Sequence, residues 1–372
     1  NLFVPSIFPN KSDAKYFLTI LGDNIMKKNE QVVHIINNNI KPFFNQLSEI
    51  LTAYMGNANG LNSFKYKYHD QTYNKTRLLR TTTHINNNTI WSINLPKNIL
   101  NIIAVACHYS SRFDNSDIFV EKAIRDHNIK DYIFYLKNNT TSKIINDFTI
   151  DMLSIKNDSS HSSKINMKNM LYLWKLYLEK RNLPNIMFIN TFKSLLKQEI
   201  TYNEDSDAFI NVTSKHLPFV SHFLQFWGAS IEINEDECEG QEYEIDEIAQ
   251  LFKRFCEDIT VNVSITDESI LNAIQHFFPN VIIVNEKYIT NVFCKHWDKS
   301  KDIDEYITKF KEDSKISEET KSQSFNTIYK QYCKELPKNS LVISKHFFEN
   351  RLQSIAKEHI VNTKCIKSTW WN

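Results

Sequence analysis

Side chains able to do covalent or metal chemistry occur at three places, and none forms a complete set. Cys107-His108 is followed by Asp114 and Asp117, the ingredients of a thiol nucleophile with an imidazole base. Adjacent residues rarely face each other, so the reading favoured here is a structural cysteine followed by a helix capped by Asn115 or Ser116. Residues 232–247 hold nine carboxylates in sixteen positions, which could gather Mg²⁺ but lack a fixed ligand spacing. A solvated acidic loop that repels phosphate is expected. Cys294-Lys295-His296 offers one ligand pair, whereas a structural zinc normally takes four ligands. The five glycines are dispersed, so neither a Walker A loop nor a dinucleotide fingerprint can form. No metal and no cofactor is expected, and no catalytic triad can be named.

The remaining chemistry is non-covalent. In Phe64-Lys65-Tyr66-Lys67-Tyr68, rings and lysines alternate, and a strand would send them to opposite faces. With Arg77 and Arg80 nearby, the stretch could bind single-stranded nucleic acid by stacking and charge. The reading favoured over that is a β-hairpin whose rings enter the core while the lysines are solvated. At the other end of the chain, helical spacing over residues 344–357 puts Phe348, Leu352, Ile355 and Ala356 on one stripe. The opposite side then presents His346, Asn350, Gln353 and Lys357, with Arg351 on the flank. Asn and Gln can read adenine edges, and Lys and Arg can hold phosphates, so this is a candidate recognition helix. Lys364 and Lys367 would belong to the extended segment after it.

These groups must be positioned by a folded chain. At 372 residues, with 42% hydrophobic and 13% aromatic content, two or three domains with real cores are expected. The fold class expected is α+β, predominantly α-helical with small β-sheets, ending in a winged helix-turn-helix. Domains are placed at 1–155 (α/β), 156–320 (mainly helical) and 321–372 (winged-helix-like), with the polar stretch 155–168 as a boundary or exposed loop. Helices are expected from Ala14, over 42–55, 167–179, 186–197, 219–227, 248–257, 267–278 and 302–311, and strands over 31–38, 259–264 and 281–284. The terminal module reads as helices 324–336 and 344–356 separated by Pro337-Lys338-Asn339-Ser340.

A net charge of +1 means that any nucleic-acid binding must come from local basic patches. No apolar run reaches the roughly 18 residues needed to span a bilayer, so no membrane partner is expected. Six scattered cysteines without a CxxC pair suit reduced thiols and a cytoplasmic location. Asn1 in place of an initiator Met suggests a piece of a longer polypeptide.

The succession Tyr329-Lys330-Gln331-Tyr332-Cys333, then Val342-Ile343-Ser344-Lys345-His346-Phe347-Phe348, resembles the C-terminal winged-helix region of poxvirus-type primase-helicases of large DNA viruses. The phrases at 16–23 and 106–113 are similar to segments in large proteins of giant viruses. The resemblance implies viral DNA replication or expression in the host cytoplasm or viral factory, with DNA rather than RNA as partner and other replication proteins nearby. The family's motor needs Walker A and B residues, and none can be mapped here. The expectation is therefore a nucleic-acid-binding protein or accessory fragment without its own NTPase. The alternative is a scaffold protein of a viral assembly whose winged helix docks a protein.

Overall fold

The computed structural model describes residues 3–28, 31–69, 72–82, 88–155, 163–233, 241–258, 265–315, 322–338, 340–361 and 364–371. It forms two compact units, Asn1–Ser214 and Lys215–Asn372. Helix predominates and the sheets are small.

In the first unit, α1 (Lys11–Ile25) begins where the Asn10 side chain accepts from the N–H groups of Ser12 and Asp13, at 2.9 and 3.0 Å. Strand β1 (Val33–Ile35) leads into α2 (Lys41–Met55), whose apolar stripe Phe43, Phe44, Leu47 and Leu51 is buried. Gly56 ends that helix in the left-handed region, at φ 73°, where a side chain would be strained. Strands β2 (Phe64–Lys65) and β3 (Thr76–Leu78) flank β1 in parallel, in the order β2-β1-β3. Helix α3 (Asn88–Phe113) packs closely on α1 at Gly22, where a Cβ would stand 2.1 Å from the Ala106 carbonyl oxygen. Such close backbone approach requires glycine.

Four helices follow: α4 (Ser116–Ala123), α5 (His127–Ile133), α6 (Tyr135–Asn138) and α7 (Thr141–Met152). Asp23 ties α4 to α1 by accepting from the Ser116 N–H and the Ser110 hydroxyl, both at 2.6 Å. Next come β4 (Ser154–Ile155), β5 (Lys164–Asn166), α8 (Met167–Lys180), α9 (Ile189–Glu199), β6 (Tyr202–Asn203), β7 (Ala208–Ile210) and β8 (Val212–Thr213). Here β4 pairs with β8, and β7 lies between β5 and β6. The expected division near residue 155 therefore falls inside this unit. Strands on both sides of the polar stretch need partners from after residue 200 to satisfy their backbone groups.

The second unit opens with α10 (Leu217–Ser230), whose Phe223, Phe226 and Trp227 are buried. Strands β9 (Ile231–Ile233) and β10 (Gln241–Glu244) precede α11 (Ile245–Asp258) and α12 (Asp267–Phe277), the latter begun by a Thr266–Ser269 capping box. Strands β11 (Ile282–Val284) and β12 (Tyr288–Cys294) form a hairpin that turns through Asn285 and Glu286, both at positive φ. β12 also pairs antiparallel with β10 and β9. The unit closes with α13 (Lys299–Lys315), β13 (Gln323–Ser324), α14 (Phe325–Glu335), α15 (Lys345–Ile355), β14 (Ile360–Val361) and β15 (Cys365–Ile366). Those last strands make a three-stranded antiparallel sheet in the order β13-β15-β14.

The expected division near residue 320 also falls inside a unit, because α13 packs on the helices after it: Tyr306 stands 5.1 Å from Tyr332 and 6.3 Å from Phe348, ring to ring. The strand expected over 259–264 lies outside the described residues. The alternating stretch 64–68 is strand only over Phe64–Lys65.

Candidate nucleic-acid interface

The terminal module is held together by rings. Phe348 of α15 lies 5.3 Å from Tyr329 and 5.0 Å from Tyr332 of α14, and Trp371 seals the far side against Phe310 of α13 at 5.1 Å. Phe348, Leu352 and Ala356 form the buried stripe of α15, each 0% exposed. Ile355, expected on that stripe, is instead exposed in the last turn of the helix.

A fully buried ion pair fixes α15 against the sheet of the same unit. Lys299, the first residue of α13, donates to Glu247 Oε2 at 2.9 Å and to the Glu242 carbonyl. Glu247 Oε1 accepts from the Ser344 N–H at 2.6 Å, at the N-cap of α15, and Oε2 accepts from the Glu244 N–H at 2.8 Å. The Lys299 ammonium also faces the rings of Phe347 at 4.0 Å and Tyr243 at 4.4 Å. Burial raises the Glu247 carboxyl above its ordinary range and lowers the Lys299 ammonium below its own, because each loses water. The cluster joins β10, α11, α13 and α15, so the orientation of α15 is set by a group that has no solvent around it.

On the outer side of α15, His346, Asn350 and Gln353 are exposed, as is Lys357 in the turn that follows. They do not form a row of free groups. Asn350 Nδ2 is 3.1 Å from His346 Nε2, and that nitrogen is 3.7 Å from Glu242 Oε1, with the imidazole 5.3 Å from the Tyr288 ring. Arg351 forks onto Asp304 of α13, its Nε at 3.0 Å. Lys364 lies 3.3 Å from Glu349, and Lys367 is exposed.

The second candidate, in the first unit, is arranged differently. Lys65 and Lys67 are exposed, while the rings between and after them turn inward. Tyr66 packs edge-on to Phe44 at 6.4 Å, and Tyr68 to Tyr73 at 5.2 Å and Phe188 at 5.6 Å. Arg77 is 4% exposed and bidentate to Asp117, with Nη2 at 2.7 Å. Burial alone would raise the Asp117 carboxyl, but the hydrogen bonds and charge of Arg77 outweigh it and hold the group below its usual value. Arg80 donates to buried Asp13 at 2.9 Å. Both arginines thus serve internal carboxylates, and the rings have protein neighbours in place of open stacking faces. The structure does not bring this group to the terminal module's residues within one unit.

Cys107 and His108 occupy consecutive positions of α3, so their side chains diverge by about 100° around the helix. Burial raises the Cys107 thiol, opposite to what a thiolate nucleophile needs. Cys294 is buried on β12 and its thiol is likewise raised by burial. Among the described residues no group of three or more His, Cys, Asp or Glu side chains could hold a metal ion. No helix among them is long and apolar enough to cross a membrane. Residues 234–240 of the acidic stretch lie outside the described residues.

Sequence reasoning missed the Lys299–Glu247 pair and the acids that partner the cations of α15. One signal was present: Glu244 and Glu247 stand at the N-cap and third position of α11, where a glutamate returns to the cap N–H. Nothing marked Lys299 within a densely charged helix. No family model matches the chain, and neither a curated protein nor a solved structure matches it.

Proposed function

We propose that the chain binds nucleic acid, DNA in preference to RNA, through a winged helix formed by α13, β13, α14, α15, β14 and β15. The observation that carries this reading is that element order together with the antiparallel β13-β15-β14 sheet, the order of elements that a winged helix-turn-helix uses. Charge supports it. Residues 321–372 hold nine Lys and Arg against three Asp and Glu, whereas the other 320 residues hold 35 against 40. A basic end on an otherwise acidic chain is the electrostatic footprint of phosphate binding. The wider setting, an accessory protein of large-DNA-virus replication acting in the cytoplasm beside other replication proteins, rests on the resemblance of residues 329–348 and 106–113.

The test is fluorescence anisotropy with labelled duplex and single-stranded DNA and RNA. Affinity that falls when Lys357, Lys364 and Lys367 become Glu, with a shallower salt dependence, supports the proposal. Equal binding by wild type and variant refutes it. The second reading, a winged helix that docks a protein, is favoured by exposed Ile355 and Val342, which are 39% and 38% exposed. A stoichiometric protein partner that co-purifies without nucleic acid, and no longer does so on Ile355→Ser, would establish it.

A further inference from the structure

The cations in and around α15 divide into two groups. Toward the N-terminal end and the flank, each has an acid within 4.0 Å, and Lys345 shares Glu349 with Lys364. Lys345 is 3.5 Å from Glu349 and donates to Asn326 Oδ1 at 2.9 Å. His346 stands 3.7 Å from Glu242, and Arg351 is bidentate to Asp304. Asn350, the residue best suited to an adenine edge, is held by His346 at 3.1 Å. Each has a partner to exchange before it can take a phosphate or a base: for Arg351 that partner is a bidentate carboxylate, and for Lys345 and His346 it is a surface contact of smaller value.

The hairpin side is arranged otherwise. Lys357 and Lys367 are exposed, and among the described residues no carboxylate lies within 4.0 Å of either. The backbone brings them together. The Lys367 N–H donates to the His359 carbonyl at 2.9 Å, and Ile360 and Ile366 are paired across β14 and β15. Lys367 therefore leaves the hairpin beside the turn Lys357–His359. Lys364, just before β15, is 72% exposed in its side chain, and its 3.3 Å approach to Glu349 is a surface pair of small net value. Glu358 is the one acid in residues 353–367.

We infer that nucleic acid docks on the hairpin side of the module, on Lys357, Lys364 and Lys367, through phosphates and not base edges, so that binding tolerates sequence. This rests on the nucleic-acid reading above and adds where and how the duplex is held. Phosphate contacts position a protein on a duplex but carry no sequence information, and of the base-reading groups of α15 Asn350 is already held by His346. Glu349 has a defined part in this arrangement: its carboxylate competes with phosphate for Lys364 and Lys345.

The experiment is a salt titration of the intact chain with a labelled 20-bp DNA duplex of mixed sequence and three shuffled versions. Three variants are compared: Lys357→Gln/Lys367→Gln, Lys345→Gln/His346→Gln, and Glu349→Gln. The four duplexes should bind wild type within about threefold of one another, as phosphate-led binding requires. Lys357→Gln/Lys367→Gln should weaken binding about tenfold or more and reduce the log-log salt slope by about 2, one for each phosphate no longer neutralised. Lys345→Gln/His346→Gln should change affinity by less than about twofold, and Glu349→Gln should tighten it severalfold by releasing Lys364. The inference is overturned if Lys345→Gln/His346→Gln weakens binding as much as Lys357→Gln/Lys367→Gln, or if one duplex is preferred by about 30-fold or more. Wild type that binds no duplex, DNA or RNA, overturns the nucleic-acid reading itself, a result distinct from binding at the wrong residues.

Discussion

Replacing Lys299 by Met would remove the ammonium from the centre of the second unit while keeping a stem of similar volume against Tyr243, Trp297 and Phe347. Glu247, 1% exposed, would retain only the Ser344 and Glu244 N–H groups as partners. Breaking one side of a buried ion pair typically costs about 3–5 kcal/mol, because the remaining charge is left uncompensated. Part of that cost can be escaped by protonation, since burial already raises the Glu247 carboxyl. The sign follows from linkage: a carboxyl raised in the folded state is tolerated below its unfolded value and becomes destabilising as pH rises through the folded value. The deficit of Lys299→Met should therefore be largest near pH 7 and shrink toward pH 4. The assay is urea unfolding followed by tryptophan fluorescence, with the second unit's transition compared at the two pH values. Adding Glu247→Gln should restore much of the deficit, since a neutral pair leaves no buried charge, and the double-mutant cycle should give a coupling of about 2 kcal/mol or more. A deficit under about 1 kcal/mol at pH 7, unchanged at pH 4, would refute the reasoning.

Three further outcomes are expected. Gly22→Ala should destabilise the first unit by about 3 kcal/mol, because the new Cβ meets the Ala106 carbonyl oxygen at 2.1 Å and α1 must move off α3; Gly228→Ala, with nothing within 4 Å, should instead gain about 0.5–1 kcal/mol in thermal or urea unfolding. His34 is 3% exposed and bonded through Nδ1 to Ser63, and burial pushes its imidazole down from 6.5 to about 3. Its folded value lies below its unfolded one, so the stability it contributes is complete above pH 6.5 and disappears as pH falls toward 3, on the order of 4 kcal/mol in all; His34→Gln should flatten the decline measured between pH 7 and 4. Trp371→Ala should cost about 3–5 kcal/mol in the second unit, because this 0% exposed side chain fills the space against Phe310.

Local signals in the sequence were legible where a short-range rule applied. The cap expected at Asn115 or Ser116 is Asn115 at the start of α4, and the spacing of Phe348, Leu352 and Ala356 marks the buried face of α15. Alternation at 64–68 also gave the right faces, since the rings turn in and the lysines out. Long-range pairings were not legible. No local pattern says that β4 will pair with β8 across residues 156–211, so the polar stretch between β4 and β5 looked like a boundary. The same limit hid the partners of the basic residues: Arg77 and Asp117 are 40 positions apart, Arg351 and Asp304 are 47, and Lys299 and Glu247 are 52. A cation reads the same in sequence whether its acid lies nearby in space or not. That is why the arginines named from residue type turn out to be paired with acids, while Lys65, Lys67, Lys357 and Lys367 stay exposed.

The central claim is that this hairpin holds nucleic acid by its phosphates, and the salt dependence of duplex binding by the intact chain tests it most directly. With Lys357, Lys364 and Lys367 each displacing a counterion, log K against log salt should be linear with a slope of about −3, indifferent to base sequence. A slope near zero, or no binding at low salt, would contradict it.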